Sequence, residues 1–148
     1  MALRPNHTNS LCQQGANELS VKTGLTWWIL RRNLLAGRTG SYQVENLADG
    51  ILRYSKDFDR DGLLNILGLG KQILPEETLK IDLKRSITRV KLDERSYVLK
   101  RYHHLHRWML VSPDCKGWLG AHRLSNEVPC YAWYRRRDLS YAVIVYAD

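Results

Sequence analysis

One lysine in this chain of 148 residues stands where phosphate chemistry would need it. Lys100 closes the run Tyr97-Val98-Leu99-Lys100, a β-rich stretch in which alternate residues share a sheet face. Val98 and Lys100 therefore point the same way, an apolar floor beside a cation. An ammonium on a flexible stem suits the phosphates of a nucleotide, and Val98 suits the base. Against this stands the ordinary reading of a strand lysine as a solvated charge.

Other groups invite other chemistry. Asp57-Phe58-Asp59-Arg60-Asp61-Gly62, followed by Asn65, has the spacing that opens a calcium loop, because hard cations need clustered carboxylates. Its twelfth position is Gly68, where a bidentate acid belongs, so a polar turn is the simpler reading. His103, His104 and His106 crowd together, but zinc needs further ligands and Cys115 is the nearest thiol; a solvated loop is expected. Tyr131, Trp133 and Tyr134 precede Arg135-Arg136-Arg137, a pattern able to stack bases and track phosphates. Trp27, Trp28, Arg31 and Arg32 suit an anionic membrane surface or packing on their own domain. Gly-x-Ser-x-Gly and Gly-Lys-Ser phosphate loops are absent.

The totals narrow the classes. Hydrophobic residues make up 44% and charged residues 26%, as in a globular domain. Net charge is +8, spread along the chain, with nine Lys/Arg against six Asp/Glu before Pro75 and fourteen against nine from Pro75 onward. Such a balance favours anionic partners: nucleotide, nucleic acid, a phosphorylated glycolipid or an acidic membrane face. Cys12, Cys115 and Cys130 are odd in number and widely spaced, which argues for a reducing, cytoplasmic setting. The first twenty residues lack the apolar core of a signal peptide, and the longest apolar run near the start is Trp27–Leu30, far short of a membrane span.

Elements must position these groups. Residues 1–22 read as loosely ordered and 23–74 as a helical extension. Within it, residues 25–36 carry Trp27, Leu30 and Leu34 on one face, with Gly37 as a stop. Residues 43–54 set Val44, Leu47, Ala48, Ile51 and Leu52 at helical spacing and predict a second helix. From Pro75 the period changes. Leu79, Ile81 and Leu83 alternate with charges, as do Thr88, Val90 and Leu92, and Asp93-Glu94-Arg95 is a turn before the lysine strand. Ser112-Pro113-Asp114 opens a helix with a cap, a proline at the first position and an acid at the positive end. Cys130–Arg136 and Leu139–Tyr146 close the chain as two strands. The expected fold is α+β: a five-stranded antiparallel sheet with one covering helix over 75–148, preceded by the helical segment.

Strand, strand, strand, helix, strand, strand is the element order of a kinase small lobe, with its lysine in the third strand. Beyond that order, Tyr97-Val98-Leu99-Lys100-Arg101-Tyr102 resembles the lysine strand of the lipopolysaccharide kinase family, the heptose and Kdo kinases. Trp118-Leu119-Gly120-Ala121-His122-Arg123-Leu124 resembles that family's helix, and Val128-Pro129 its link to the fourth strand. Arg135-Arg136-Arg137 before a Ser-Tyr-apolar strand is also similar to the family pattern. The resemblance covers about half the chain. It implies ATP with magnesium as cofactor and phosphate transfer to a glycolipid sugar hydroxyl at the cytoplasmic face of the inner membrane. It also implies nucleotide contacts at Lys100, Val98, Val90 and Tyr146, and Asp114 as ion-pair partner of the lysine. The sequence departs from the family around Lys84-Arg85-Ser86, where no glycine-rich loop joins the first two strands. It ends at Asp148 with no catalytic-loop or metal-holding aspartate, so a truncated or degenerate kinase, inactive alone, is expected. The alternative is a non-enzymatic module that presents its basic, aromatic sheet to nucleic acid or an acidic partner. A small lobe also leaves apolar surface open, which predicts a homo-oligomer or cover from the N-terminal helices.

Overall fold

The computed structural model describes residues 24–37, 39–108, 112–123 and 129–148. Residues 1–22, including Cys12, lie outside that set, as do Leu124 and Val128. The elements run α1 (Gly24–Ala36), β1 (Tyr42–Asn46), β2 (Gly50–Ser55), α2 (Arg60–Ile66), β3 (Pro75–Ile81), β4 (Arg85–Leu92), β5 (Arg95–His103), α3 (Pro113–Arg123), β6 (Cys130–Arg136) and β7 (Tyr141–Ala147). The order expected from residue 75 onward is present, and so is the first helix.

The expected five-stranded sheet with one covering helix is incorrect. All seven strands join one antiparallel sheet in the order β1-β2-β6-β7-β5-β4-β3, and three helices cover it. The error lies in residues 43–54, which form the β1–β2 hairpin rather than a helix. Two physical causes decide it. Asp49-Gly50 is a strong turn signal, and the turn closes with Leu47 N–H donating to the Gly50 carbonyl at 2.9 Å. Gly50 then enters β2 directly against β6: a Cβ there would lie 2.5 Å from the Arg135 carbonyl oxygen and 2.7 Å from the Tyr134 ring. The apolar residues that mimic helical spacing serve period two instead, with Leu52 and Tyr54 turned to one core and Arg53 to the other.

A wider sheet needs cover on both faces. On one, α2 inserts Leu63, Ile66 and Leu67 among Leu52, Tyr54, Leu99 and Val145. The helix is short and depends on its cap, the Asp59 carboxylate accepting from Gly62 N–H at 2.6 Å. On the other face, α3 buries Trp118 against Tyr102, Trp133 and Ile144, while α1 adds Leu34 to the same cluster. The α3 helix opens as the sequence indicates, with the Ser112 carbonyl accepting from Lys116 N–H at 3.1 Å. Strand β3 is an edge with every residue exposed, Ile81 at 75% and Leu83 just beyond it at 92%. Two irregularities in its pairing with β4 twist that edge, a common defence against strand addition.

Leu63 is fully buried and anchors α2 over the sheet. Leu63→Ala is expected to cost about 2–5 kcal/mol in urea unfolding. A loss below about 1 kcal/mol would show that α2 is not part of the cooperative core.

Candidate functional site

Lys100 sits on β5, an interior strand, with Ile87 of β4 and Ile144 of β7 as its cross-strand partners. Alternation places Val98, Lys100 and Tyr102 on the α3 side of the sheet. Tyr146 faces the same way, opposite Val98, so three of the four residues expected to meet a nucleotide share one face. Val90 does not. It pairs with Tyr97 and is buried in the core beneath α2, on the far side of the sheet from Lys100. The count from Lys100 explains this: across β4 and β5 the residues in register with the lysine side are Arg85, Ile87 and Arg89, and Val90 falls between.

The charges that act on Lys100 are positive. Its ammonium lies 5.4 Å from the centre of the Tyr102 ring. Partial burial holds its pKa below the ordinary lysine value, and the cations Arg85 and Lys80 push in the same direction. Lys80 and Arg85 share Asp82, at 3.7 and 3.3 Å, whereas Lys100 forms no ion pair among the described residues. Below it, Tyr102 is pushed up to about 12, first by burial and then by Asp114. Tyr146 is also driven up by burial, and a hydrogen bond links the two tyrosines. The face thus offers a desolvated ammonium with apolar and phenolic neighbours and an excess of positive charge.

Asp114, expected as the partner of Lys100, is engaged elsewhere. It is fully buried; its Oδ2 accepts from Trp133 Nε1 at 3.0 Å and stands 3.3 Å from Arg135 Nε. Arg135 also donates to the His106 carbonyl at 3.0 Å. Arg53, equally buried, lies 4.6 Å over the Trp133 ring and donates to the Leu35 carbonyl at 3.1 Å. The first turn of α3 points down onto β6, and β7 and β5 lie beyond, so the carboxylate meets arginines of the hairpin side before it could meet the lysine strand. Reading the sequence missed this cluster. Its signal was Trp133 and Arg135 two apart in a strand, with an arginine between Leu52 and Tyr54.

The remaining candidates take structural roles. Asp59 caps α2 and Asp61 pairs with Arg60; no group of three or more acids, histidines or cysteines able to hold a metal occurs among the described residues. Trp133, Tyr134 and Arg135 are buried, so they form no platform for bases. Trp28 and Ile29 are about half exposed on α1, and no described helix is long and apolar enough to cross a membrane. No protein-family model, curated protein or solved structure matches the chain.

Breaking a buried pair leaves the partner charge uncompensated. Asp114→Asn is therefore expected to cost about 3–5 kcal/mol of stability in urea unfolding, even though an amide oxygen could still accept from Trp133. A variant as stable as the parent would show that Arg135 needs no counter-ion.

Proposed function

We propose that the α3-side face of β4, β5 and β7 binds the phosphates of a nucleotide, with Lys100 as the contacting cation. The observation that carries this reading is the half-buried Lys100 ammonium, whose charged neighbours Arg85 and Lys80 are both cations. A cation in that setting gains from an anion far more than a solvated surface lysine does. Val98 and Tyr146, cross-strand partners on the same face, would meet and border the base. These positions are three of the four nucleotide contacts implied by the resemblance to lipopolysaccharide kinases, which also proposes phosphate transfer to a glycolipid sugar hydroxyl as the wider role. The contribution proposed for the described residues is binding, with Asp114 held by Arg135 and magnesium arriving with the nucleotide as its counter-ion. The bound phosphates would restore the lysine pKa that burial lowers. Affinity is then constant well below that pKa and falls as pH rises through it toward the ordinary lysine value.

Thermal unfolding with Mg-ATP, run beside Lys100→Ala, tests the proposal. Ligand at ten- to a hundredfold its dissociation constant stabilises the folded state by about 1–3 kcal/mol, and the variant should lose most of that gain. No gain in the parent chain, or an equal gain in the variant, would overturn it. A gain from heparin that disappears steeply with salt, with none from ATP, would instead assign the face to an acidic polymer.

A further inference from the structure

The opposite face of the sheet holds a concave site, independent of Lys100. The turn between β4 and β5 and the turn before α2 border an open cavity of about 400 Å³. Its floor is a trio of rings, with Phe58 centred 5.3 Å from Tyr97 and 5.0 Å from Tyr131. Tyr97 is only 7% exposed and lines the cavity, and its hydroxyl, which is not sealed from water, forms no hydrogen bond among the described residues. Open to water, that phenol can exchange a water for a ligand's donor.

The rim carries four carboxylates against the single guanidinium of Arg95. Asp59 is committed to the α2 cap. Asp57, Asp93 and Glu94 form no ion pair among the described residues, on a chain that has 23 Lys and Arg available. Aromatic faces attract cations, carboxylates bind them through charge-assisted hydrogen bonds, and a cavity of this size suits a small ligand. We propose that this cavity binds an aliphatic ammonium group carried on a small amine. The alkyl body lies against Phe58 and Tyr131. The ammonium donates to the Tyr97 hydroxyl and to the carboxylates of Asp93 and Glu94. The strand turn supplies both acids from one side and the α2 approach supplies Phe58 from the other, so neither loop alone makes the site.

The probe is 1-aminohexane, with 1-hexanol as its neutral counterpart, titrated into the whole chain and followed by amide chemical shifts. Saturable shifts confined to residues 57–59, 92–97 and 131 are expected from the amine and not from the alcohol. Asp93→Asn with Glu94→Gln should weaken amine binding about tenfold, the scale of a lost charge-assisted hydrogen bond. Asn accepts the left-handed backbone that Asp93 adopts at φ 54°, so this variant keeps the turn. Tyr97→Phe, which retains the ring, should weaken binding several-fold. Absence of saturable shifts, equal shifts from the alcohol, or undiminished binding by the double variant would each overturn the proposal.

Discussion

Asp114 is a full charge with no exposure to water, and the α3 side of the molecule is arranged around that fact. Such a group persists only with partners close by, and its partners come from strands distant in sequence. Through Trp133 and Arg135 it ties the start of α3 to β6. Through Arg135 the link extends to His106, beyond the lysine strand. Arg53, stacked on the same tryptophan, brings in the hairpin and, through the Leu35 carbonyl, α1. Apolar packing supplies most of the burial here, but the charges determine which elements may pack. The cluster buries two arginines and one carboxylate, of which Arg135 pairs with Asp114 and Arg53 rests on Trp133, so it carries a net positive charge.

Strand alternation then sorts function by side. Along β5 the even-numbered residues Val98, Lys100 and Tyr102 look toward α3, and the odd-numbered Tyr97 and Leu99 look toward α2. One face therefore gathers an excess of cations around Lys100, and the other ends in acids above aromatic rings. The two proposed sites are separated by the thickness of a single sheet, and a one-residue slip of β5 would exchange their contents.

Much of this was legible where chemistry is local. Period-two alternation from Pro75, the Asp93-Glu94 turn and the Ser112-Pro113-Asp114 helix start are short-range signals, and the elements are found there. Val98 and Lys100 sharing a face needed only parity. The hairpin at 42–55 was misread because Val44, Leu47, Ile51 and Leu52 satisfy a helical stripe and a pair of short strands equally well; the contact that decides, Gly50 under Tyr134, lies across the sheet. Asp114 was misassigned for the same reason. Its position in the helix was readable, but its partner depends on which strand lies beneath the first turn, and that follows from the hairpin's place beside β6. Val90 was placed by analogy rather than by register, and register puts it on the other face.

The position of β2 beside β6 also shapes how the chain reaches this state. Leu52 finds its neighbour in Tyr134, near the opposite end of the sequence, whereas β3 and β4 each pair with the strand that follows. During synthesis the central meander can assemble from local contacts, but Arg53 emerges long before Trp133 and Asp114 exist to receive it. Loop closure over that span must precede any gain from burial, so docking of the hairpin is expected late in folding. Until it occurs, β2, an interior strand of the finished sheet, is a temporary edge, and the growing chain must pass through a stage with β2 uncovered.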